Sequence, residues 1–156
     1  GWRLGYAAGP EEVISAMTKL QNHVTGNVNS IAQKASIEAL TGPQEIVETM
    51  RKEYNRRRDY MVKKLNSIKG IFCNNPDGAF YTFPNISKLY RTRFRDKTIN
   101  NEMNFVNYIL DEAHVAVVPG EAFKVTDHVR LTFAISMEII KEGLNRIEVA
   151  INKLKI

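Results

Sequence analysis

A single cysteine, Cys73, stands among 156 residues, so the chain cannot form an internal disulfide and has no CxxC pair for zinc. Cys73 is expected to be a buried spectator. No apolar run approaches the ~20 residues of a membrane-spanning helix, and no apolar stretch with a small-residue cleavage site stands in the first residues. These absences lead to the expectation of a cytoplasmic protein without membrane partners. The three histidines, His23, His114 and His128, are scattered and have no metal-ligand spacing. No nucleophile triad, paired-carboxylate arrangement or phosphate-cradling glycine loop is legible either.

What is present is ordinary globular composition, 44% hydrophobic and 25% charged, which argues against disorder and fibrous repeats. The length suits one domain with a real core, or two compact units. The net charge of +5 permits an anionic partner without demanding one. Its excess lies in two runs, Arg56-Arg57-Arg58 with Lys63-Lys64, and Arg91-Thr92-Arg93-Phe94-Arg95. The first, interspersed with Glu53 and Asp59, reads as a solvated helix face. The second has aromatic residues interleaved as a phosphate-contacting surface would, but no nucleic-acid module spacing accompanies it, so nucleic acid is not expected as a partner.

Along the chain, Trp2, Leu4 and Tyr6 alternate with Arg3 and Gly5, which predicts a strand closed by Gly9-Pro10. Pro10 as first helical residue, with Glu11 and Glu12 behind it, predicts a helix whose apolar face is Val13, Met17, Leu20 and Val24. Ser30 with Gln33 has the spacing of a capping box opening a short helix rich in small residues. After Thr41-Gly42-Pro43-Gln44, helical spacing from Val47 to Ile68 persists for about 25 residues, roughly 37 Å. Gly70 ends it. Ile71-Phe72-Cys73 and Ala79-to-Pro84 read as two strands of a hairpin-like unit around the turn residues Asn74 to Gly78. The basic stretch from Lys88 to Lys97 reads as a surface loop. A helix ending near His114, a strand over Val115 to Val118 and a last helix capped by Ser136 complete the pattern. The buried stripe of that last helix is expected to be Ile140, Leu144, Ile147, Ile151 and Leu154.

One residue breaks this regularity. Val129-Arg130-Leu131-Thr132-Phe133-Ala134-Ile135 reads as a strand with a guanidinium set inside it. Arginine cannot shed its charge, so near an apolar strand it either snorkels to water or meets an anion. A planar fork is well suited to a carboxylate. Residue reasoning alone leaves both readings open and stops at an α+β protein with two arginines of interest, Arg3 and Arg130.

Five stretches, taken together, resemble a known family. Gly1-Trp2-Arg3-Leu4-Gly5-Tyr6, Ser30-Ile31-Ala32-Gln33, Pro76-Asp77-Gly78-Ala79-Phe80-Tyr81, Val117-Val118-Pro119-Gly120-Glu121-Ala122-Phe123 and Val129-Arg130-Leu131-Thr132-Phe133-Ala134 are similar, in order, to motifs of the class I and II aminotransferases, fold type I enzymes dependent on pyridoxal 5'-phosphate. The aspartate-type branch matches best. The resemblance implies that Arg3 holds the cofactor's phosphate, that Arg130 grips the α-carboxylate of an amino-acid or 2-oxo-acid substrate, and that Phe80 walls the substrate side. It implies an α+β fold: the last strand and helices of the large cofactor domain over residues 1–43, a connecting helix over 44–69, and over 70–156 a small domain with a short, mostly antiparallel sheet packed by helices. It also implies a homodimer when intact.

The chain departs from the family pattern at Gly26 and at Lys124, where glycine is usual. If that loop needs a positive φ, lysine there alters its path. The family's Schiff-base lysine stands roughly eight residues before the position of Arg3. It is therefore expected upstream of Gly1, leaving no catalytic residue in this chain, which alone is expected to be inactive. Two alternatives remain at this stage: another pyridoxal-phosphate enzyme on the same scaffold, such as a lyase or acyl-transferring synthase, and a non-catalytic basic binding module.

Overall fold

The computed structural model describes residues 1–155, and the fold is α+β. The chain divides into two compact units, Gly1–Glu48 and Thr49–Ile156. The elements in order are α1 (Glu11–Val24), α2 (Ser30–Thr41), α3 (Glu45–Ser67), β1 (Tyr81–Thr82), β2 (Arg93–Phe94), β3 (Lys97–Thr98), α4 (Glu102–Ala113), β4 (Val118–Pro119), β5 (Val129–Thr132) and α5 (Met137–Asn152).

In the first unit, Pro10 sits one position before α1 as its N-cap, its carbonyl accepting from Val13 and Ile14. The cap of α2 is Asn29 rather than Ser30. The Asn29 Oδ1 accepts from the amides of Ile31 at 2.9 Å and Ala32 at 3.1 Å, satisfying donors that a helix start leaves orphaned. Gln33 turns to the Val28 carbonyl. The strand expected over Trp2 to Tyr6 does not form, and residues 1–10 carry no strand hydrogen bonds. Alternation marks a segment that can be a strand, but a strand also needs a paired neighbour, and none of the described residues supplies one. Trp2 and Tyr6 are exposed.

The second unit has a continuous core. β5 is the middle of a three-stranded antiparallel sheet in the order β1-β5-β4, with Tyr81 opposite Thr132, Thr82 opposite Leu131, Val118 opposite Arg130 and Pro119 opposite Val129. Successive side chains point to opposite faces. Val129 and Thr82 are therefore buried, whereas Arg130 is only half-buried. Met61 and Leu65 of α3, Phe105, Tyr108 and Ile109 of α4, and Ile140, Leu144, Ile147 and Ile151 of α5 join that core. Each such burial contributes about 1.5–3 kcal/mol. Tyr108 ties α4 to α5 through its hydroxyl, which donates to the Ala150 carbonyl at 2.7 Å. Burial, with the Glu112 carboxylate nearby, pushes that phenol up to about 12. As expected, Ser136 caps α5. Leu154, expected on the buried stripe, is half-buried.

Three further expectations need correction. The stretch Lys88 to Lys97 is not a plain loop. β2 and β3 pair through Arg93 opposite Thr98 and Phe94 opposite Lys97, and Arg93 also bridges to Lys155. Period two explains it, since Arg91, Arg93 and Arg95 point to water while Phe94 packs on the core. The hairpin-like unit is reduced to one bridge, Phe72 with Asn85, because Tyr81 and Thr82 pair with β5 instead. Asn66 satisfies the Cys73 backbone from its side chain, accepting at 2.8 Å and donating at 2.9 Å. Cys73 itself is buried, and burial raises its thiol pKa. The strand read over Val115 to Val118 is paired only at Val118–Pro119.

Candidate functional site

The Arg57 guanidinium shows what an ordinary arginine does in this unit. It donates to Glu53 at 2.7 Å and to the Ile135 carbonyl at 2.7 Å. Arg56 also bonds Glu53, at 2.8 Å. These hydrogen bonds, the one from Arg56 first, lower the Glu53 carboxyl to about 2. Arg58 pairs with Asp59 at 2.8 Å. Arg56, Arg57 and Arg58 are thus each engaged by a carboxylate of the same helix.

Arg130 is different. Among the described residues no carboxylate lies within ion-pair distance of its guanidinium, and no side chain or carbonyl accepts from it. Its carbon Cζ instead lies 4.4 Å from the ring centre of Tyr81 and 4.7 Å from that of Phe123. Register accounts for Tyr81: it stands opposite Thr132, making it the diagonal, same-face neighbour of Arg130. Phe123 arrives from the 3-10 turn Gly120–Phe123 that follows β4.

That turn is tightly built. The Gly120 amide donates to the His128 carbonyl at 2.8 Å, and Val125 donates back to Gly120 at 3.2 Å. A Cβ on Gly120 would stand 2.3 Å from the Val125 carbonyl oxygen, so the close return requires glycine. Lys124 adopts φ 58 and ψ 31. The loop does need the left-handed conformation that favours glycine, and here lysine takes it, keeping the turn. Phe123 meets Phe83 edge-on at 6.0 Å, and Phe83 stacks on His128 at 5.1 Å.

The Phe80 ring lies tilted against that of Tyr81, 4.6 Å between centres, and 6.5 Å from that of Tyr54. Its carbonyl accepts from the Phe133 amide at 2.9 Å and the Thr132 hydroxyl at 3.2 Å. Phe80 is thus joined to Arg130 through Tyr81. Tyr81 and Phe123 carry the contacts to Arg130 that sequence reading missed. Both stand inside quoted motifs, and the signal that points to Tyr81 is the strand register, which sequence alone does not specify. Arg3 belongs to the other unit, where it is exposed, has φ 55 and engages no carboxylate among the described residues.

Arg130 and Tyr81 also border a cavity of about 580 Å³ whose walls include Val118, Leu131, Ile135 and Ile140. Its polar lining includes Thr132, His114 and the Glu142–Arg146 ion pair. The arrangement provides an unpartnered, oriented cation beside an aliphatic recess, which is what a small carboxylate-bearing molecule needs.

Such an oriented cation beside a recess is suited to receiving an anion. The comparisons with known proteins give the family. The family profile described as aminotransferase class I and II matches residues 1–147, and the chain belongs to this family. It is 45% identical over 149 residues to the aspartate/prephenate aminotransferase of Cereibacter sphaeroides, covering 95% of this chain and 37% of that protein. It is likewise 45% identical over 147 residues to the aspartate aminotransferase of Geobacillus stearothermophilus, covering 94% of the chain and 36% of the relative. The crystal structure of the Rhizobium meliloti aspartate aminotransferase superposes with a TM-score of 0.93 at 42% identity, over 99% of this chain and 39% of that one. The Thermus thermophilus aspartate aminotransferase with maleate gives 0.82 at 38% identity, over 96% and 37%. The chain thus spans less than two-fifths of the length of these relatives.

Proposed function

We propose that the intact protein is a pyridoxal-phosphate-dependent aminotransferase, of the aspartate:2-oxoglutarate type, and that this chain is its C-terminal part. It transfers an amino group between an amino acid and a 2-oxo acid, and it works as a cytoplasmic homodimer. Residues 1–43 end the cofactor domain, 44–69 connect, and 70–156 form the small domain. One observation carries the reading of the site: among the described residues no protein group accepts from the five donors of the Arg130 guanidinium, which instead meets two aromatic rings, although Arg56, Arg57 and Arg58 of α3 are all paired.

Arg130 takes the substrate's α-carboxylate. A carboxylate accepts two parallel hydrogen bonds from a guanidinium fork, and this fixes how the bonds at the substrate Cα are oriented. Maleate in the Thermus relative is a dicarboxylate, which agrees with such a receptor. Arg3 fits a phosphate dianion, being exposed and engaging no carboxylate among the described residues, and it is the residue here that would hold the cofactor. Pyridoxal phosphate supplies the electron sink for charge developing at Cα. Phe80 walls the substrate side and packs against Tyr81.

In the intact enzyme, Arg130→Ala is expected to raise KM for the amino donor and the 2-oxo acid by about thirtyfold or more, the cost of removing one partner of a charge pair. Steady-state kinetics with aspartate and 2-oxoglutarate measure this, and an unchanged KM removes Arg130 from the carboxylate site. The same assay separates a transaminase from a lyase or synthase on this scaffold, neither of which needs a 2-oxo-acid acceptor.

A further inference from the structure

We infer that Tyr81 and Phe123 are positioning residues: they hold the Arg130 guanidinium between their rings so that only its in-plane edge is open to an anion. The inference rests on Arg130 being the carboxylate receptor and extends it to two residues that do not themselves bind the carboxylate.

The ring centres lie 4.4 and 4.7 Å from Cζ, and no ring contact joins Tyr81 to Phe123 among the described residues. The rings are thus two separate contacts to the cation, one taken to cover each of its faces. A guanidinium carries all five N–H groups in its plane, and an aromatic face attracts the cation without using any of them. Such a sandwich restricts the swing of a long side chain while leaving every donor free. A carboxylate entering coplanar with the fork makes two hydrogen bonds, whereas approach over either face meets a ring. The entropy of ordering the arginine is thus spent in folding rather than at binding.

The mount behind Phe123 supports this role. Phe123 is 43% exposed, so burial in the core does not account for its place. It is nevertheless braced, edge-on against Phe83, which stacks on His128. The His128 Nδ1 lies 2.7 Å from the Thr126 carbonyl, and the His128 carbonyl accepts from Gly120 at the start of the turn carrying Phe123. Tyr81 is braced on the other side by Phe80. The guanidinium is the centre of a row of ring contacts running from His128 to Phe80.

The test uses the intact, pyridoxal-phosphate-loaded enzyme, with maleate affinity read by calorimetry and the kinetics of aspartate turnover alongside. Phe123→Leu and Tyr81→Leu keep apolar bulk and remove the ring. Each is expected to weaken maleate and raise KM for aspartate about three- to tenfold, within the range of a cation–π contact, with kcat changed less than twofold. Tyr81→Phe, which restores the ring, should recover most of the loss. If both leucine variants bind maleate like the parent while Arg130→Ala does not, the positioning role is overturned and the receptor role of Arg130 stands. If Arg130→Ala also binds normally, both fall. A loss in kcat matching that in KM, without recovery in Tyr81→Phe, would mark general structural damage and overturn the inference as well.

Discussion

α1 and α5 carry the same kind of signal and end in opposite conditions. Val13, Met17, Leu20 and Val24 of α1 are 52%, 49%, 65% and 69% exposed, whereas Ile140, Leu144, Ile147 and Ile151 of α5 are between 1% and 5% exposed. Both stripes follow the 3.6-residue period that marks a face to be covered. α5 meets α4 and the sheet within its own unit, and α1 contributes no buried residue. Periodicity therefore states which face of a helix is apolar. It does not state whether the covering partner lies in the same stretch of chain, and this chain spans less than two-fifths of the relatives it matches.

The comparison can be broken most directly at Leu144. Leu144→Ala empties a site that is 1% exposed and is expected to cost about 2–5 kcal/mol in urea unfolding of the 156-residue chain. A loss under 1 kcal/mol would mean that the core around α5 is not close-packed. A smaller, pH-dependent effect is expected at Glu53. Its pKa is lowered in the folded state to about 2 from 4.5, so its contribution is present above pH 4.5 and is lost as pH falls toward 2. The melting temperatures of wild type and Glu53→Gln should differ at pH 7 and converge near pH 2. A constant gap would show that the Arg56 and Arg57 pairs do not act through the carboxylate charge. The smallest effect is expected at Leu20. Leu20→Ala in this same chain should change stability by less than about 0.5 kcal/mol, as exposed substitutions do. A cost near that of Leu144→Ala would show that the α1 stripe is covered after all.

Much of the second unit could be read in advance because its signals are local. The Ser136 cap, the stripe of α5, the strand around Arg130 and the end of α4 at His114 each depend on neighbours a few residues away. Where pairing is non-local, reading failed. Trp2 to Tyr6 alternates like a strand and finds no partner among the described residues, while Arg91 to Thr98 looks like a charged loop and closes as a hairpin against Lys155. The same division runs through the candidate site. Arg130 stands out in the sequence as a charge within a strand, and the family resemblance points to Phe80, but it is the neighbouring Tyr81 that meets the guanidinium. That choice depends on the register of β1 on β5, in which a shift of one residue exchanges the two faces.

From the amino-acid sequence alone follow the helical periods, the caps, the anomalous arginine and the order of motifs similar to those of the aminotransferases. All of these are set by residue type and short-range spacing. The tertiary structure decided that Arg130 finds two aromatic rings in place of an acid. Tyr81 and Phe123 lie 49 and 7 positions from it in sequence, and only strand pairing and a glycine-dependent turn bring them to the same cation.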